Sequence, residues 1–498
     1  MRHVLNLLVL WVCMGLGIHA QARPIEVKSE NFVFVGNVAE SSARELLTEL
    51  EIYRAAILHR MGAKIGPELI PVRIYSASGP KGIATLTGVK GADGVYLSTV
   101  EGPVFVLNSA GGFRRGKKAR AIALHEYTHH LLASFTGELY PRWFDEGLAE
   151  YLSTFELDRD GNMVIGAPDH DHAFMLSQKN WFPFRLMLAG VRAYPFSFTD
   201  NSRNGQYTRG MYYAQSWLAV HFIQSTKGYN AKLDDYVARL NARQSPLKAF
   251  EKAFGMKPAE FEALLRAYRK RNRFLKATFK NPTKSKDIKL AVREMGKGEL
   301  YMHKAEAIRA YRGTKERYKK ALEYYDRAAK ELGNSPRIQA GRAAIAAKTK
   351  DYDKALGLVT AALKQTPDDE YLNRVAGMVL MMKNDTDKKP DMAEIKRARK
   401  HLKKAMMANP DNAAAHYYYV QTFIIAHDPP TRQAIASAVF GLDYYRSINF
   451  VDTNVDFAEI LINTGRKQLA RKTLERAIAW SNNSDVQYYA RDVLSSMH

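Results

Sequence analysis

Three residues in the stretch ALHEYTHHLL, at positions 123–132, have the types and the spacing of a metal site. His125, Glu126 and His129 form the pattern H-E-x-x-H. On an α-helix, residues four apart lie on one face a single turn apart, so both imidazoles can bind the same ion. Glu126 then faces the open side of that ion and can take a proton from a water molecule there. A metal ion such as Zn2+ lowers the pKa of such a water to about 7, which is the chemistry of zinc hydrolases.

The pattern also occurs by chance, and its alternative interpretation is a surface helix with two solvated histidines. The flanking segments AIAL and LL are apolar, which favours a buried helix whose polar groups require partners or a metal. His130 lies about 100° further round the helix than His129, so it cannot join the site from the same face. We therefore predict a capping or packing role for His130.

A catalytic zinc site has three protein ligands and one open position. Phe135 stands six residues after His129, where a metzincin would have its third histidine, so that type of site is excluded. The segment PRWFDEGLAEYLS, at 141–153, offers Asp145, Glu146 and Glu150 in a helical setting.

Within that segment, WFDEGLAEY resembles the second zinc helix of the gluzincin metallopeptidases, the class that includes thermolysin. The resemblance implies that Glu146 is the third zinc ligand. It also implies that Glu150 orients a zinc-bound imidazole from behind, with an exposed helical carboxylate as the alternative. The class often has Asn where Asp145 stands.

A third segment, GMYYAQSWLAVHFI at 210–223, resembles the following helix of the peptidase MA-like group of gluzincins, which has a Tyr-Ala-Gln-Ser version. The resemblance covers roughly residues 30–260. It implies that the phenol of Tyr213 donates a hydrogen bond to the developing oxyanion, with Tyr212 as the fallback and a purely core role as the alternative. In this class an edge strand binds the extended peptide, so we expect the β-prone segment at 103–109 to line the cleft.

Two other polar clusters indicate no second metal site. The cluster DHDH, at 169–172, has no helical spacing, and we interpret it as a solvated loop. The sequence DRDG, at 158–161, lacks the remaining ligands of a calcium loop and indicates the turn of a hairpin. Further strands are predicted at 31–38 and 71–78, a helix at 42–62 and a second hairpin at 94–108.

The C-terminal part has a different sequence pattern, in which alanines recur one or two helical turns apart in several segments. These segments lie at 315–332, 351–369, 398–419 and 465–483. They resemble the tetratricopeptide repeat, in which small residues allow paired helices to approach closely. We therefore predict an α+β fold with a thermolysin-like gluzincin metallopeptidase domain at 23–280, followed by an all-α TPR-like solenoid at 290–498.

The N-terminal residues 1–22 have the pattern of a secretory signal, with a basic residue, an apolar run and then Ala20-Gln21-Ala22. We predict cleavage near Ala22 and a periplasmic or secreted protein, with an uncleaved membrane anchor as the alternative. Cys13 is the only cysteine, so cleavage would leave a chain without disulfides or cysteine ligands.

The formal net charge is +23, and residues 266–320 contribute 19 Lys or Arg against 5 Asp or Glu, an excess of 14. This region either binds anionic envelope surfaces or forms solvated helix faces at a domain junction. Export and the lack of interleaved aromatic residues argue against nucleic acid.

Together these features predict an exported zinc-dependent metallopeptidase whose repeats bind a peptide or protein substrate, or a protein partner. One alternative is a non-catalytic periplasmic scaffold with a structural or vestigial zinc site. Another is a peptidase that stays latent until the repeats meet a partner.

Overall fold

The computed structural model combines an α+β region with a long series of helices. It describes residues 23–63, 66–110, 113, 117–135, 140–168, 170–189, 202–242, 244–271, 273–310, 313–386, 388–447, 453–462, 464–480 and 484–497. The predicted signal segment and its cleavage site lie outside these residues.

Nine strands form two sheets in the described part of the chain. They are β1 (Pro24–Lys28), β2 (Phe32–Asn37), β3 (Val72–Ala77), β4 (Gly94–Thr99), β5 (Gly102–Asn108), β6 (Glu156–Leu157), β7 (Met163–Ile165), β8 (Ala277–Phe279) and β9 (Ala291–Glu294). The larger sheet has the order β4-β5-β3-β2-β1-β9, and the smaller has the order β6-β7-β8. β2, β3 and β5 run parallel to one another, whereas β4, β1 and β9 are antiparallel to their neighbours.

Among the described residues, ten α-helices accompany the strands before the repeats. They are α1 (Glu40–Arg60), α2 (Gly79–Thr87), α3 (Lys117–Phe135), α4 (Arg142–Ser153), α5 (His170–Ser177), α6 (Phe184–Ala189), α7 (Arg203–Ser225), α8 (Tyr229–Asn241), α9 (Pro246–Phe254) and α10 (Pro258–Lys270). The predicted strands at 31–38 and 71–78, the helix at 42–62 and both hairpins are thus confirmed.

The large sheet is buried on both faces because its side chains alternate between two cores. Phe34 and Phe105 point into a core shared with α1 and α3, which carries the H-E-x-x-H motif. Their neighbours Val35 and Val106 point into a second core on the opposite face, shared with α2 and with helices that follow the α+β region. The sheet is therefore the platform on which α3 rests.

The C-terminal part is helical. After α11 (Lys297–Ala310) come α12 (Lys315–Leu332), α13 (Pro336–Lys348), α14 (Tyr352–Gln365), α15 (Glu370–Asn384), α16 (Met392–Ala408), α17 (Ala413–Ala426), α18 (Arg432–Ser447), α19 (Asn454–Leu461), α20 (Lys467–Trp480) and α21 (Ser484–Ser495). Consecutive helices pack as hairpins, and buried alanines and glycines line their contacts. At Gly377, for example, an added Cβ would lie 2.4 Å from Leu402. None of the described helices combines the length and apolar character that crossing a bilayer demands.

The two parts are joined by more than the chain connection. β9, beyond residue 290, pairs with β1 and completes one edge of the large sheet. At the opposite edge, α18 packs against α3, and Tyr445 donates a hydrogen bond of 2.7 Å to the carbonyl oxygen of Val100 in the β4–β5 turn. The repeats therefore contact both the motif helix and the hairpin beside it.

One expectation about the sheet is wrong. The segment 103–109 is largely β5, which pairs with β3 on one side and β4 on the other. It is therefore an interior strand, and β4 is the edge strand on this side of the sheet. The β-prone composition predicted both strands of the hairpin, but which of them is outermost depends on the parallel pairing of β5 with β3.

Candidate metal centre

The side chains of His125, His129 and Glu146 converge at one point between α3 and α4. His125 Nε2 and His129 Nε2 are 3.2 Å apart, and Glu146 Oε2 lies 3.4 Å from the first and 3.3 Å from the second. Among the described residues, these three form the only group of histidine, cysteine or acidic side chains with the geometry to hold a metal ion. α3 supplies the two imidazoles from adjacent turns, and α4 supplies the carboxylate.

These separations fit a zinc ion. Nitrogen and oxygen ligands lie about 2.0–2.1 Å from zinc, so two ligand atoms of a tetrahedral site are separated by roughly 3.3–3.4 Å. The three observed distances agree with that value. Three ligand atoms also leave one position of a tetrahedron open, as in catalytic rather than structural zinc sites.

The outer nitrogens of both imidazoles are held by carboxylates. His125 Nδ1 is 3.3 Å from Glu150 Oε1, and His129 Nδ1 is 3.0 Å from Asp145 Oδ1. A carboxylate can only accept, so each Nδ1 donates its proton, and the lone pair of each neutral imidazole lies on Nε2. The lone pairs of both Nε2 atoms and of Glu146 Oε2 then face one another, an arrangement that requires a cation.

The pKa values of His125 and Glu146 reflect the same preference for positive charge at this point. Burial lowers the pKa of His125, but Glu150 and Glu146 outweigh it and raise that pKa to about 10. Burial likewise opposes the charged form of Glu146, yet the two imidazoles bring its pKa well below the usual range. The cluster therefore favours positive charge at the point where these side chains meet.

Glu126 and Tyr213 lie beside the cluster. Burial raises the pKa of Glu126, and its nearest charged groups include the two imidazoles and Glu146. The Tyr213 ring stands edge-on to the His125 ring, with 6.2 Å between centroids, and burial and Glu146 raise the pKa of its phenol. Tyr212 is almost fully buried in the main core, whereas Tyr213 is only partly buried.

Two contacts around the cluster were not predicted. Arg142 Nη2 lies 3.5 Å from Glu146 Oε1, so the carboxylate has one oxygen on the imidazoles and the other near a cation. Gly147 allows α4 to touch α7, because a Cβ there would lie 2.3 Å from the carbonyl oxygen of Ser216. That close contact brings the α7 turn carrying Tyr213 to the site. Of these contacts, the sequence indicated only the one between Arg142 and Glu146, whose four-residue spacing places both side chains on one face of a helix.

The interpretation of DHDH as a solvated loop is wrong, because its residues 170–172 are helical and the last of them is not solvated. Residues 170–177 form α5, and His172 is buried, with Nε2 3.4 Å from Glu150 Oε2. Packing of α5 against α7 buries this histidine, and no helical spacing in the sequence could show that contact. Asp169 lies outside the described residues.

The DRDG segment does form a turn, in which Asp158 accepts hydrogen bonds from the backbone N–H groups of Asp160 and Asn162.

His130 points away from the cluster into a buried polar network. Its Nδ1 is 3.1 Å from Tyr96 Oη on β4, and its Nε2 is 3.3 Å from Glu68 Oε2. Glu68 also accepts hydrogen bonds from Tyr127 and Arg54. Burial would raise the pKa of Glu68, but His130 and Arg54 lower it to about 2. The network fixes the far side of α3.

A second charged cluster joins the hairpin to the repeats. Both carboxylate oxygens of Glu101, in the β4–β5 turn, accept from Arg309 at 2.7 and 2.6 Å, and Arg374 adds a contact of 3.1 Å. These groups border a cavity of about 390 Å³ that also contacts Glu306 and Arg337. Part of the positive excess at 266–320 is thus paired inside the protein.

Comparisons with known proteins address the helical part of the chain. Residues 314–377 match the tetratricopeptide repeat family. A thermophilic TPR protein of Thermus thermophilus is similar at 19% identity and a TM-score of 0.32, over 40% of this chain and 99% of that chain. No curated protein matches the sequence. The predicted repeats are therefore confirmed within residues 314–377.

Proposed function

We propose that this chain is an exported zinc-dependent metallopeptidase with a helical repeat region for substrate or partner binding. The observation that carries the proposal is the convergence of His125 Nε2, His129 Nε2 and Glu146 Oε2 at the separations of a tetrahedral zinc site. Glu126 stands next to this site on the same helix. A three-ligand site beside a carboxylate is the arrangement of hydrolytic zinc, which supplies a Lewis acid when bound.

In this proposal, side chains near the metal site transfer the proton, stabilise the oxyanion and orient the metal ligands. Glu126 accepts a proton from the attacking water and passes it to the leaving amine, a role for which a raised pKa is suited. A phenol is protonated at neutral pH, and burial raises the pKa of Tyr213 further, so Tyr213 can donate a hydrogen bond to the developing oxyanion. Glu150 and Asp145 keep the imidazoles in the tautomer that binds metal.

The edge strand β4 is the part of the sheet available to an extended substrate. Within the described residues it pairs with β5 alone, and it packs against α3. An extended peptide added along β4 would gain main-chain hydrogen bonds and run beside the metal centre. A peptide or unfolded protein is therefore the substrate class that we propose.

The repeats supply a surface for a second protein. Tetratricopeptide repeats stack into extended surfaces, and those at 314–377 adjoin the cavity bordered by Glu101. The same match favours a second candidate function, a periplasmic scaffold in which the zinc site is structural or vestigial. The exposed part of the basic region at 266–320 would serve either function by contacting an anionic envelope surface.

The decisive experiment measures zinc content and hydrolysis of a fluorescently labelled unfolded protein by the exported chain. We expect one zinc ion per chain, cleavage by the wild type, and cleavage reduced at least ~100-fold in Glu126→Gln. Zinc content should be unchanged in that variant, because Glu126 is not a ligand. Equal cleavage by both proteins would contradict the role of Glu126.

The scaffold function predicts a different result. Wild type and Glu126→Gln would then bind zinc equally and neither would cleave the protein. Fractionation of cells that express the full chain tests export, and we expect the shortened protein outside the cytoplasm.

A further inference from the structure

His172 forms the outer end of a chain of side chains that leads to the metal centre. Its Nε2 lies 3.4 Å from Glu150 Oε2, and the other oxygen of Glu150 lies 3.3 Å from His125 Nδ1. The Glu150 carboxylate therefore bridges two imidazoles, one of which would bind the metal. The chain connects α5 to α3 through α4.

The position of His172 is fixed by packing. The side chain is only 8% exposed, and its ring lies over Trp217 of α7, with 5.7 Å between centroids and 30° between ring planes. Within the described residues, its Nδ1 is buried and has no hydrogen-bond partner. The contact with Glu150 is thus the polar interaction that orients this ring. Burying an imidazole is costly unless its N–H groups are used.

We infer that His172 is a positioning residue for the metal centre, acting through Glu150 on His125. The inference rests on the proposed zinc site. The Nε2 side of the His172 ring holds Glu150 Oε2 at 3.4 Å, which leaves Oε1 directed at His125 Nδ1. With both oxygens occupied, the carboxylate cannot rotate away, and His125 keeps its Nε2 lone pair on the metal side.

The expected size of the effect follows from the distance to the metal. Loss of a partner that contacts a metal ligand typically weakens metal binding roughly 10–100-fold. His172 is one contact further out than Glu150, so its loss should weaken zinc binding by about 10-fold. A residue that served packing alone would change unfolding but leave zinc affinity unchanged.

The experiment is a competition titration of zinc against a chromophoric chelator, with thermal unfolding of each zinc-free protein as a check on folding. His172→Phe keeps an aromatic ring over Trp217 but removes the donor, and we expect a dissociation constant about 10-fold higher. His172→Gln keeps an N–H donor and should bind more tightly than His172→Phe. His170→Phe is the matched control, because His170 is exposed on the same helix and should have no effect.

A double variant tests the route of the effect. If His172 acts through Glu150, then Glu150→Gln with His172→Phe should bind zinc no more weakly than Glu150→Gln alone. Should His172→Phe not fold, His172→Asn replaces it, since the shorter amide ends before Glu150.

The outcomes separate this inference from the proposed function. Wild-type zinc affinity in the His172 variants, beside a wild type that binds one zinc ion, would overturn the positioning role and leave the zinc site standing. Additive losses in the double variant would likewise overturn the route through Glu150. A wild type that binds no zinc would overturn the proposed function and, with it, the inference.

Discussion

Replacing Gly147 by Ala should destabilise the protein although alanine is the better helix former. Gly147 lies inside α4, and an added Cβ would be 2.3 Å from the carbonyl oxygen of Ser216 and 2.9 Å from Val220 Cγ2. Ordinary contact begins at 3.4 Å, so α4 and α7 would have to separate by about 1 Å. The obstacle is a backbone carbonyl inside a helix, which cannot turn aside as a side chain can.

Two magnitudes decide the sign of this change. Alanine in place of glycine stabilises a helix interior by about 1 kcal/mol. Forcing one methyl group into a packed interior costs typically about 1–3 kcal/mol, and more when backbone must move. We therefore expect a net loss of about 1–2 kcal/mol in the free energy of unfolding. For a domain of this size, that loss lowers Tm by roughly 2–8 °C.

The matched control is Gly357→Ala. Gly357 lies inside α14 and no atom stands within 4 Å of the position that its Cβ would take. Only the helix propensity changes there, so this variant should gain up to about 1 kcal/mol. Thermal unfolding followed by far-ultraviolet circular dichroism compares both variants with the wild type. Equal or greater stability of Gly147→Ala would refute the steric argument.

The same displacement has a consequence at the site. Tyr213 lies one helical turn before Ser216 in α7. A shift of α7 by about 1 Å therefore moves the Tyr213 phenol relative to His125. A misplacement of that size can lower the rate of a reaction by about 100-fold. Gly147→Ala should therefore reduce the proposed peptidase activity by a larger factor than it reduces zinc binding, whereas Gly357→Ala should change neither.

Two further predictions concern buried charges elsewhere in the chain. Glu101→Gln leaves Arg309 buried without its anion, so the free energy of unfolding should fall by about 3–5 kcal/mol in chemical denaturation, and an unchanged midpoint would contradict this. Burial raises the pKa of Asp456 to about 7. A hydrogen bond from Tyr417 opposes this rise, and nearby Glu459 adds to it. Because this folded pKa lies above the unfolded one, stability is fully present below about pH 4 and is lost as pH rises through about 7. Asp456→Asn should therefore match the wild type near pH 4 and exceed it by on the order of 2–4 kcal/mol at about pH 8, and a constant difference would exclude this role.

The sequence could predict the parts of the site that depend on local geometry. Four-residue spacing within one helix places His125 and His129 on the same face wherever that helix lies in the fold. The β-prone composition of short segments likewise predicted β2, β3 and the β4–β5 hairpin. The approach of Glu146 from a second helix is different, because it depends on the path of the chain between α3 and α4. Periodicity could not show which of Asp145, Glu146 and Glu150 is the third ligand. Only the resemblance to a known family indicated Glu146.

His172 shows why the remaining features could not be predicted in this way. Locally it belongs to a polar cluster with His170, and nothing in the spacing separates the two residues. What separates them is the packing of α5 against α7, which leaves His170 exposed and places His172 over Trp217 beside Glu150. The contact between α4 and α7 depends in turn on the missing Cβ of Gly147. The outer partners of the candidate metal centre are thus set by the distances at which three helices pack. Such distances depend on the volumes of residues far apart in sequence. Which of His170 and His172 contacts Glu150 can therefore be identified only from the packed helices.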